Sequence, residues 1–262
     1  MAKIKLYQID AFTDKVFGGN PAAVCVLDAW LDDKTMQQIG AENNLAETAF
    51  VVKTGDDYEI RWFTPTVEVD LCGHATLAAA YVLFTYYNHL TDVINLHSHR
   101  SGLLRVQRRA DTLTLDFPTD VFEATETPEA LVEAFGKAPR ETYKGKTDYL
   151  LIFESEDDVA GFNPDTNLIN SVEARGVIVS APGKGVDFVS RFFCPQVGIV
   201  EDPVTGSAHT TLTPYWSQRL SKQVMTAKQL SKRQGNLTCE YLGKRVKITG
   251  KAVTYLTGEI EV

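Results

Sequence analysis

Arg61-Trp62-Phe63-Thr64-Pro65-Thr66-Val67-Glu68-Val69 recurs in altered form as Arg191-Phe192-Phe193-Cys194-Pro195-Gln196-Val197-Gly198-Ile199. Both stretches read Arg, aromatic, Phe, any, Pro, any, Val, any, Ile or Val. After each comes an Asp and then a Gly that opens a helix-like run: Asp70 with Gly73-His74-Ala75, and Asp202 with Gly206-Ser207-Ala208. The two arginines lie 130 residues apart (191 − 61) and the two glycines 133 apart (206 − 73), about half of the 262-residue chain. The pattern predicts two similar halves, each presenting one strand–Gly–helix junction, with both junctions facing a shared cleft. On this reading Asp70 and Asp202 correspond.

The second junction carries a local conflict. Gly206-Ser207 at the mouth of a helix leaves backbone N–H groups without partners in the chain, and with the helix dipole they favour an anion. Asp202 adds a carboxylate beside that position. Conflicts of this kind concentrate at functional sites.

The rest of the chain supports an α+β fold rich in antiparallel hairpins. Residues 3–12 and 22–27 read as strands, the first as part of an alternating stretch that begins at Ala2. Asp32 and Asp33 open a helix that runs to about Asn43. Residues 47–52 form a strand that pairs with 57–64 across Gly55-Asp56-Asp57. Residues 74–87 are apolar on every side, which predicts a helix buried within a curled sheet. Residues 118–128 are irregular and mark the boundary. The N-terminal half is placed at 1–117, completed by the C-terminal strand 254–262, and the C-terminal half at 124–253. Residues 155–167 read as polar turns. Residues 210–220 form the second central helix, which Pro214 should kink unless it lies near the start.

Composition narrows the function. The chain is 44% hydrophobic and 23% charged, ordinary for a soluble globular protein. A net charge of −8 without a basic stripe argues against nucleic acid. No stretch approaches the ~18 unbroken apolar residues of a membrane span. The start of the chain alternates like a strand rather than forming an apolar leader, so a cytoplasmic protein with reduced thiols is expected.

Several residues could carry chemistry. Glu47 starts a strand after a polar loop; it is either a solvated strand end or a base projecting into a cleft, and an ordinary Glu needs burial to act near neutral pH. His74, directly after Gly73 at a helix start, is disfavoured as a cation by the dipole, so it is a neutral imidazole of the site or of the core. Asp202, Asp70 and Ser207 could each merely cap a helix. Cys72 beside a helix N-terminus has its thiolate favoured, which would suit a two-thiol racemase, but Val204 and Thr205 stand at the matching place in the second half. The scattered cysteines lack zinc spacing. His97 and His99 read as a solvated turn with no carboxylates placed around them, so no metal is expected. Neither a dinucleotide nor a Walker motif occurs.

With these residues in view, the chain resembles the phenazine-biosynthesis PhzF-like isomerase family. The matching motifs are Asp10-Ala11-Phe12-Thr13 with Gly19-Asn20-Pro21-Ala22, Glu47-Thr48-Ala49-Phe50, residues 63–69, Cys72-Gly73-His74-Ala75-Thr76 and Gly198 to Ala208. They span both halves in order. The resemblance implies a diaminopimelate-epimerase-like fold: two pseudo-symmetric halves, each a curled, mostly antiparallel sheet around a central helix. It implies that Glu47 is the acid/base and that His74, Asp202 and Ser207 line the site. On this reading His74 and Asp202 are catalytic with Glu47, holding the substrate's polar groups and returning a proton, and Gly73, Gly206, Ser207 and Cys72 bind the substrate. It also implies a homodimer without cofactor, acting on a small carboxylate. Relative to the family the chain is expected to be trimmed around 155–185. Two other readings stay open: a cysteine-dependent racemase using Cys72, and a non-catalytic small-acid binder.

Overall fold

The computed structural model describes residues 3–262; Met1 and Ala2, the latter opening the alternating stretch, lie outside the described residues. The chain divides into two compact units. Unit 1 comprises Met1–Asp116 with Thr249–Val262, and unit 2 comprises Phe117–Ile248. The fold is α+β, with strands predominating.

Unit 1 contains β1 (Lys3–Ala11), β2 (Asn20–Leu27), α1 (Asp33–Asn43), β3 (Glu47–Thr54), β4 (Asp57–Phe63), β5 (Glu68–Val69), α2 (Gly73–Tyr86), β6 (Val93–Ser98) and β7 (Gly102–Arg109), followed by β8 (Thr112–Pro118). Strand β1 lies between β2 and the C-terminal strand Ala252–Glu261, antiparallel to both. From there β2 runs parallel to β3, β3 antiparallel to β4, β4 parallel to β6, and β6 antiparallel to β7. The helix α2 packs on β1, β2 and β3. Its residues from His74 to Ala80 are all buried, as its all-round apolar sequence demands. The opposite face of the sheet covers α1 through Leu6, Cys25, Phe50 and Phe63 against Met36 and Ile39.

Unit 2 repeats this order. It contains β9 (Glu123–Ala124), α3 (Glu129–Phe135), β10 (Glu141–Lys144), β11 (Asp148–Ile152), α4 (Glu156–Gly161), α5 (Thr166–Asn170), β12 (Gly176–Pro182), β13 (Phe188–Cys194), β14 (Ile199–Asp202), α6 (Gly206–Leu220), β15 (Val224–Gln229), β16 (Gly235–Tyr241) and β17 (Arg245–Gly250). Here β11 is parallel to β12, β12 antiparallel to β13, β13 parallel to β15, and β15 antiparallel to β16. The alternation of parallel and antiparallel neighbours matches unit 1 strand for strand. Two short helices, α4 and α5, replace the polar turns expected at 155–167. Ser155 and Asp165 cap them, each side chain accepting from a backbone N–H of the first turn.

The repeated arginines show why that stretch recurs. Arg61 places Nε and Nη2 on the Glu68 carboxylate at 2.7 and 2.8 Å, and Nη1 on Asp33 of α1 at 2.9 Å. Arg191 places Nε and Nη2 on Glu201 at 2.6 and 3.0 Å, and Nη1 on the carbonyls of Val159 and Phe162 at 3.1 and 2.6 Å. Each guanidinium therefore ties its hairpin to an outer helix. Each also lies over the Phe two residues later, at 5.2 and 4.8 Å from the ring centre.

The sheet register corrects one expectation. Trp62 pairs with Val69, and Phe192 pairs with Asp202. The counterpart of Asp202 is therefore Val69, not Asp70. The second copy is longer because residues Pro195–Val197 form a 3-10 turn closed by Gly198 at φ +83°. From Glu68 and Glu201 onward the offset is a constant 133, so Cys72, Gly73, His74 and Thr76 match Thr205, Gly206, Ser207 and His209.

Pro214 lies inside α6, and its missing N–H would leave the Thr210 carbonyl unpartnered. Asp120 N–H donates to that carbonyl at 3.3 Å. The helix continues to Leu220 because a loop supplies the bond that proline cannot.

Candidate active site

In unit 1 the site is built where β2, β3 and α2 begin. Asn20 is the first residue of β2, Glu47 the first of β3, and His74 the second of α2. The parallel pairing of β2 with β3 sets Ala22 against Glu47. The Glu47 side chain is only 13% exposed, and His74 is buried. His74 Nε2 lies 3.2 Å from Glu47 Oε2. On the other side of the ring, Asn20 Nδ2 donates to His74 Nδ1 at 3.0 Å, and Cys72 Sγ lies 3.5 Å from the same nitrogen.

These contacts assign the tautomer. An amide nitrogen only donates, so Nδ1 must accept, and the ring proton sits on Nε2, 3.2 Å from the Glu47 carboxylate but not aligned for a hydrogen bond to it. Burial pushes the His74 pKa down to about 3. Its place in the first turn of α2 acts in the same direction. The pair is therefore a neutral imidazole against a carboxyl group, not a charged ion pair. Cys72 is the N-cap residue of α2 and makes no side-chain capping bond; the carbonyl of Cys72 instead accepts from Thr76 Oγ1 at 2.5 Å.

Glu47, Cys72 and His74 offer ligand atoms within 4.8 Å of one another, a juxtaposition that sequence spacing could not reveal. Two of the three groups lie at the positive end of α2, where a cation is disfavoured.

Unit 2 carries the remaining candidates at the mouth of α6. Thr205 is its N-cap residue, so neither Asp202 nor Ser207 occupies the capping position. Thr205 Oγ1 donates to Asp202 Oδ2 at 2.5 Å, and Gln229 Nε2 donates to the Asp202 carbonyl at 2.8 Å. Gln229 Oε1 accepts from Thr205 N–H at 2.9 Å. The fully buried Gln229 thus fixes the turn that carries Asp202. Ser207 Oγ accepts from Arg175 Nη2 at 3.0 Å.

The structure brings Glu47, His74 and Cys72 together around Gly73, and Asp202, Gly206 and Ser207 around Thr205. Sequence reasoning missed Asn20, Gln229 and Arg175. A buried Asn at a strand start must find a partner, and that signal was present in Asn20-Pro21. The surface histidines also have carboxylate neighbours that the sequence did not suggest: His97 Nε2 lies 2.9 Å from Asp57 Oδ2 and His99 Nε2 3.8 Å from Glu68 Oε1. Both rings are about half exposed. No helix among the described residues is long and apolar enough to cross a membrane.

The fold and its kin define an enzyme of the isomerase class. The chain belongs to the family described as phenazine biosynthesis-like protein (PhzC-PhzF), whose profile matches residues 9–258. It is 50% identical over 260 residues to an uncharacterized isomerase of Pseudomonas aeruginosa, covering 99% of this chain and 100% of that one. It is 38% identical to the mouse phenazine biosynthesis-like domain-containing protein 1, covering 98% and 99% of the two chains. A crystal structure of a PhzF-family protein from Enterococcus faecalis superposes with a TM-score of 0.97 at 45% identity, over 100% of both chains. The expected trimming around 155–185 is therefore no departure from these two bacterial relatives. A hydroxyproline epimerase from Agrobacterium vitis shares the fold alone, with a TM-score of 0.62 at 11% identity over 98% of this chain and 92% of that one.

Proposed function

We propose that this protein is a cofactor-independent isomerase that moves a proton on a small carboxylic acid, with Glu47 as general acid/base. The observation that carries the reading is the buried contact between Glu47 and a His74 whose tautomer Asn20 sets. A carboxyl group mostly removed from water, beside a fixed N–H, is placed to accept a proton from carbon and return it. Glu47 takes the proton from a carbon next to a carbonyl or alkene, and the electron pair moves into that π system. Glu47 then delivers the proton to another position of the same system. His74 Nε2–H, close to Glu47 but not bonded to it, is offered to the developing negative charge. The backbone N–H groups at Gly73 hold substrate oxygen. In unit 2, Gly206 and Ser207 stand at the corresponding helix mouth and Asp202 at the turn before it. Donors already oriented toward developing charge supply a large part of such catalysis.

The test is solvent-deuterium exchange over a panel of amino acids, hydroxy acids and cyclohexadiene carboxylates. Glu47→Gln is expected to slow exchange by ~10²–10⁴-fold. Exchange at the wild-type rate in that variant would remove Glu47 from the reaction.

The second reading is a thiol mechanism, favoured by the 3.5 Å approach of Cys72 Sγ to His74 Nδ1. Its weakness is chemical. The counterpart of Cys72 in unit 2 is Thr205, so the chain has no second thiol at the matching helix mouth.

A further inference from the structure

The repeat register shows what unit 2 puts where unit 1 puts its acid. Ala22 pairs with Glu47 at the start of β3, and Asp148 pairs with Gly176 at the start of β12. Glu47 therefore matches Gly176, and the side chain offered at that corner comes from the preceding residue, Arg175. In unit 1 the corner side chain meets the second residue of the central helix, Glu47 on His74 at 3.2 Å. In unit 2 it does the same, Arg175 on Ser207 at 3.0 Å. One unit presents a carboxyl group at its helix mouth, and the other presents a guanidinium.

Arg175 is held firmly for a residue that reaches solvent. Nε donates to Asp148 Oδ1 at 2.9 Å, and Nη2 donates to Asp148 Oδ2. The guanidinium lies over the Phe192 ring, 5.3 Å from its centre. Gly176 makes room for that ring, since a Cβ there would come within 2.5 Å of it. Burial works against the charge, and the Asp148 carboxylate more than restores it, so the Arg175 pKa is raised. Nη1 donates to no group among the described residues. The side chain is 35% exposed and lines a cavity of about 440 Å³ in unit 2, with Lys146, Thr147, Ser207 and Thr210. The two carboxylates of this cavity are already engaged, Asp148 by Arg175 and Asp120 Oδ2 by Thr211 Oγ1 at 2.8 Å.

We propose that Arg175 is a charge-selecting residue: with Ser207 Oγ it binds the carboxylate of a small acid in this unit-2 cavity. A purely structural Arg–Asp fork would need neither the Ser207 contact nor a guanidinium that lines a cavity. The inference rests on the small-acid reading above and adds the side chain that selects the charge.

The test compares benzoate with benzamide, equal in shape and different in charge, by calorimetric binding to the whole protein. Wild type should favour benzoate, and Arg175→Gln should lose that preference by ~10–100-fold, the range of a charge-assisted hydrogen bond. Arg175→Lys should restore part of it. Thr147→Trp, which fills the cavity from an exposed position and leaves the Arg175–Asp148 pair intact, should abolish benzoate binding. An unchanged preference in Arg175→Gln overturns the proposal, as does unchanged benzoate binding in Thr147→Trp, or no benzoate binding by wild type. If Arg175→Gln fails to fold, Thr147→Trp alone decides. Binding is read without turnover, so a failure of Glu47 as the base leaves this result separate.

Discussion

His74 Nε2 stands 3.2 Å from Glu47 Oε2 while Asn20 Nδ2 occupies Nδ1 at 3.0 Å, so an amide on one strand decides which nitrogen of the ring carries the proton. Asn20→Asp reverses that decision. A carboxylate at residue 20 accepts rather than donates, which draws the ring proton to Nδ1 and turns a bare Nε2 lone pair toward Glu47. Deuterium exchange should fall by ~10²-fold or more, since holding a catalytic imidazole in the wrong tautomer is severe. Asn20→Ala, which frees the ring without forcing it, should fall less. Exchange by Asn20→Asp at the wild-type rate would show that the tautomer is irrelevant.

Two buried histidines predict a specific pH window for stability. Burial depresses His74 to about 3 and His209 to about 4, from 6.5. His209 Nδ1–H donates to the Thr205 carbonyl at 2.8 Å, and Nε2 has no partner among the described residues. Folded pKa values below the unfolded value mean that the unfolded chain binds more protons between them. The contribution is complete above pH 6.5, is lost as pH falls from there toward about 4 for His209 and about 3 for His74, and is on the order of a few kcal/mol. The urea midpoint should therefore drop between pH 7 and 4.5, above the range where paired carboxylates such as Asp57 and Glu68 titrate. His209→Gln should flatten part of that slope. A midpoint constant over this range would contradict the buried neutral assignment.

The duplicated fold was legible because its signals are local and repeated. Arg61 and Arg191 each need a carboxylate and an outer helix, and the same residue types recur at nearly the same spacing. The all-apolar run of α2 announced its own burial. Glu47 stood at a strand start, and His74 and Asp202 stood by the glycines of helix starts, all places where periodicity changes. The partners were hidden for a different reason. Asn20 reaches His74 across 54 residues, and Arg175 reaches Ser207 across 32, through strand pairings that no local pattern encodes. The Asp70–Asp202 equivalence failed because the extra residues of the second copy fold into a 3-10 turn before the register resumes.

Gly176 ties the core of unit 2 to its helix mouth. A Cβ at this position would lie 2.5 Å from the Phe192 ring and 2.8 Å from the Phe193 carbonyl oxygen. The carbonyl belongs to the β12–β13 ladder and cannot yield without breaking strand pairing. Gly176→Ala should therefore destabilise by ~1–3 kcal/mol, the usual range for forcing extra volume into a packed interior. Thermal unfolding of the variant checks this. Gly136→Ala provides a comparison of another kind, since that site has open space and its strain comes from φ +62° alone. A melting temperature for Gly176→Ala equal to wild type would mean that the Phe192 ring and the ladder are free to move.

Cys72→Ser separates the two chemistries that share His74. The thiol is buried, sits at the N-cap of α2, and approaches His74 Nδ1 at 3.5 Å. If Cys72 were the base, a hydroxyl in its place would be far too weak an acid to form the anion at neutral pH, and exchange should fall by orders of magnitude. If Glu47 is the base, a serine hydroxyl can still donate to Nδ1, in the same sense as Asn20 Nδ2, and the tautomer is kept. Exchange should then stay within about tenfold of wild type, a difference of ~1.4 kcal/mol in barrier. Alkylation of Cys72 would be a poorer test, because a bulky adduct beside His74 blocks either mechanism. Collapse of exchange in Cys72→Ser, with the fold intact by circular dichroism, would transfer the catalytic role from the carboxyl group to the thiol.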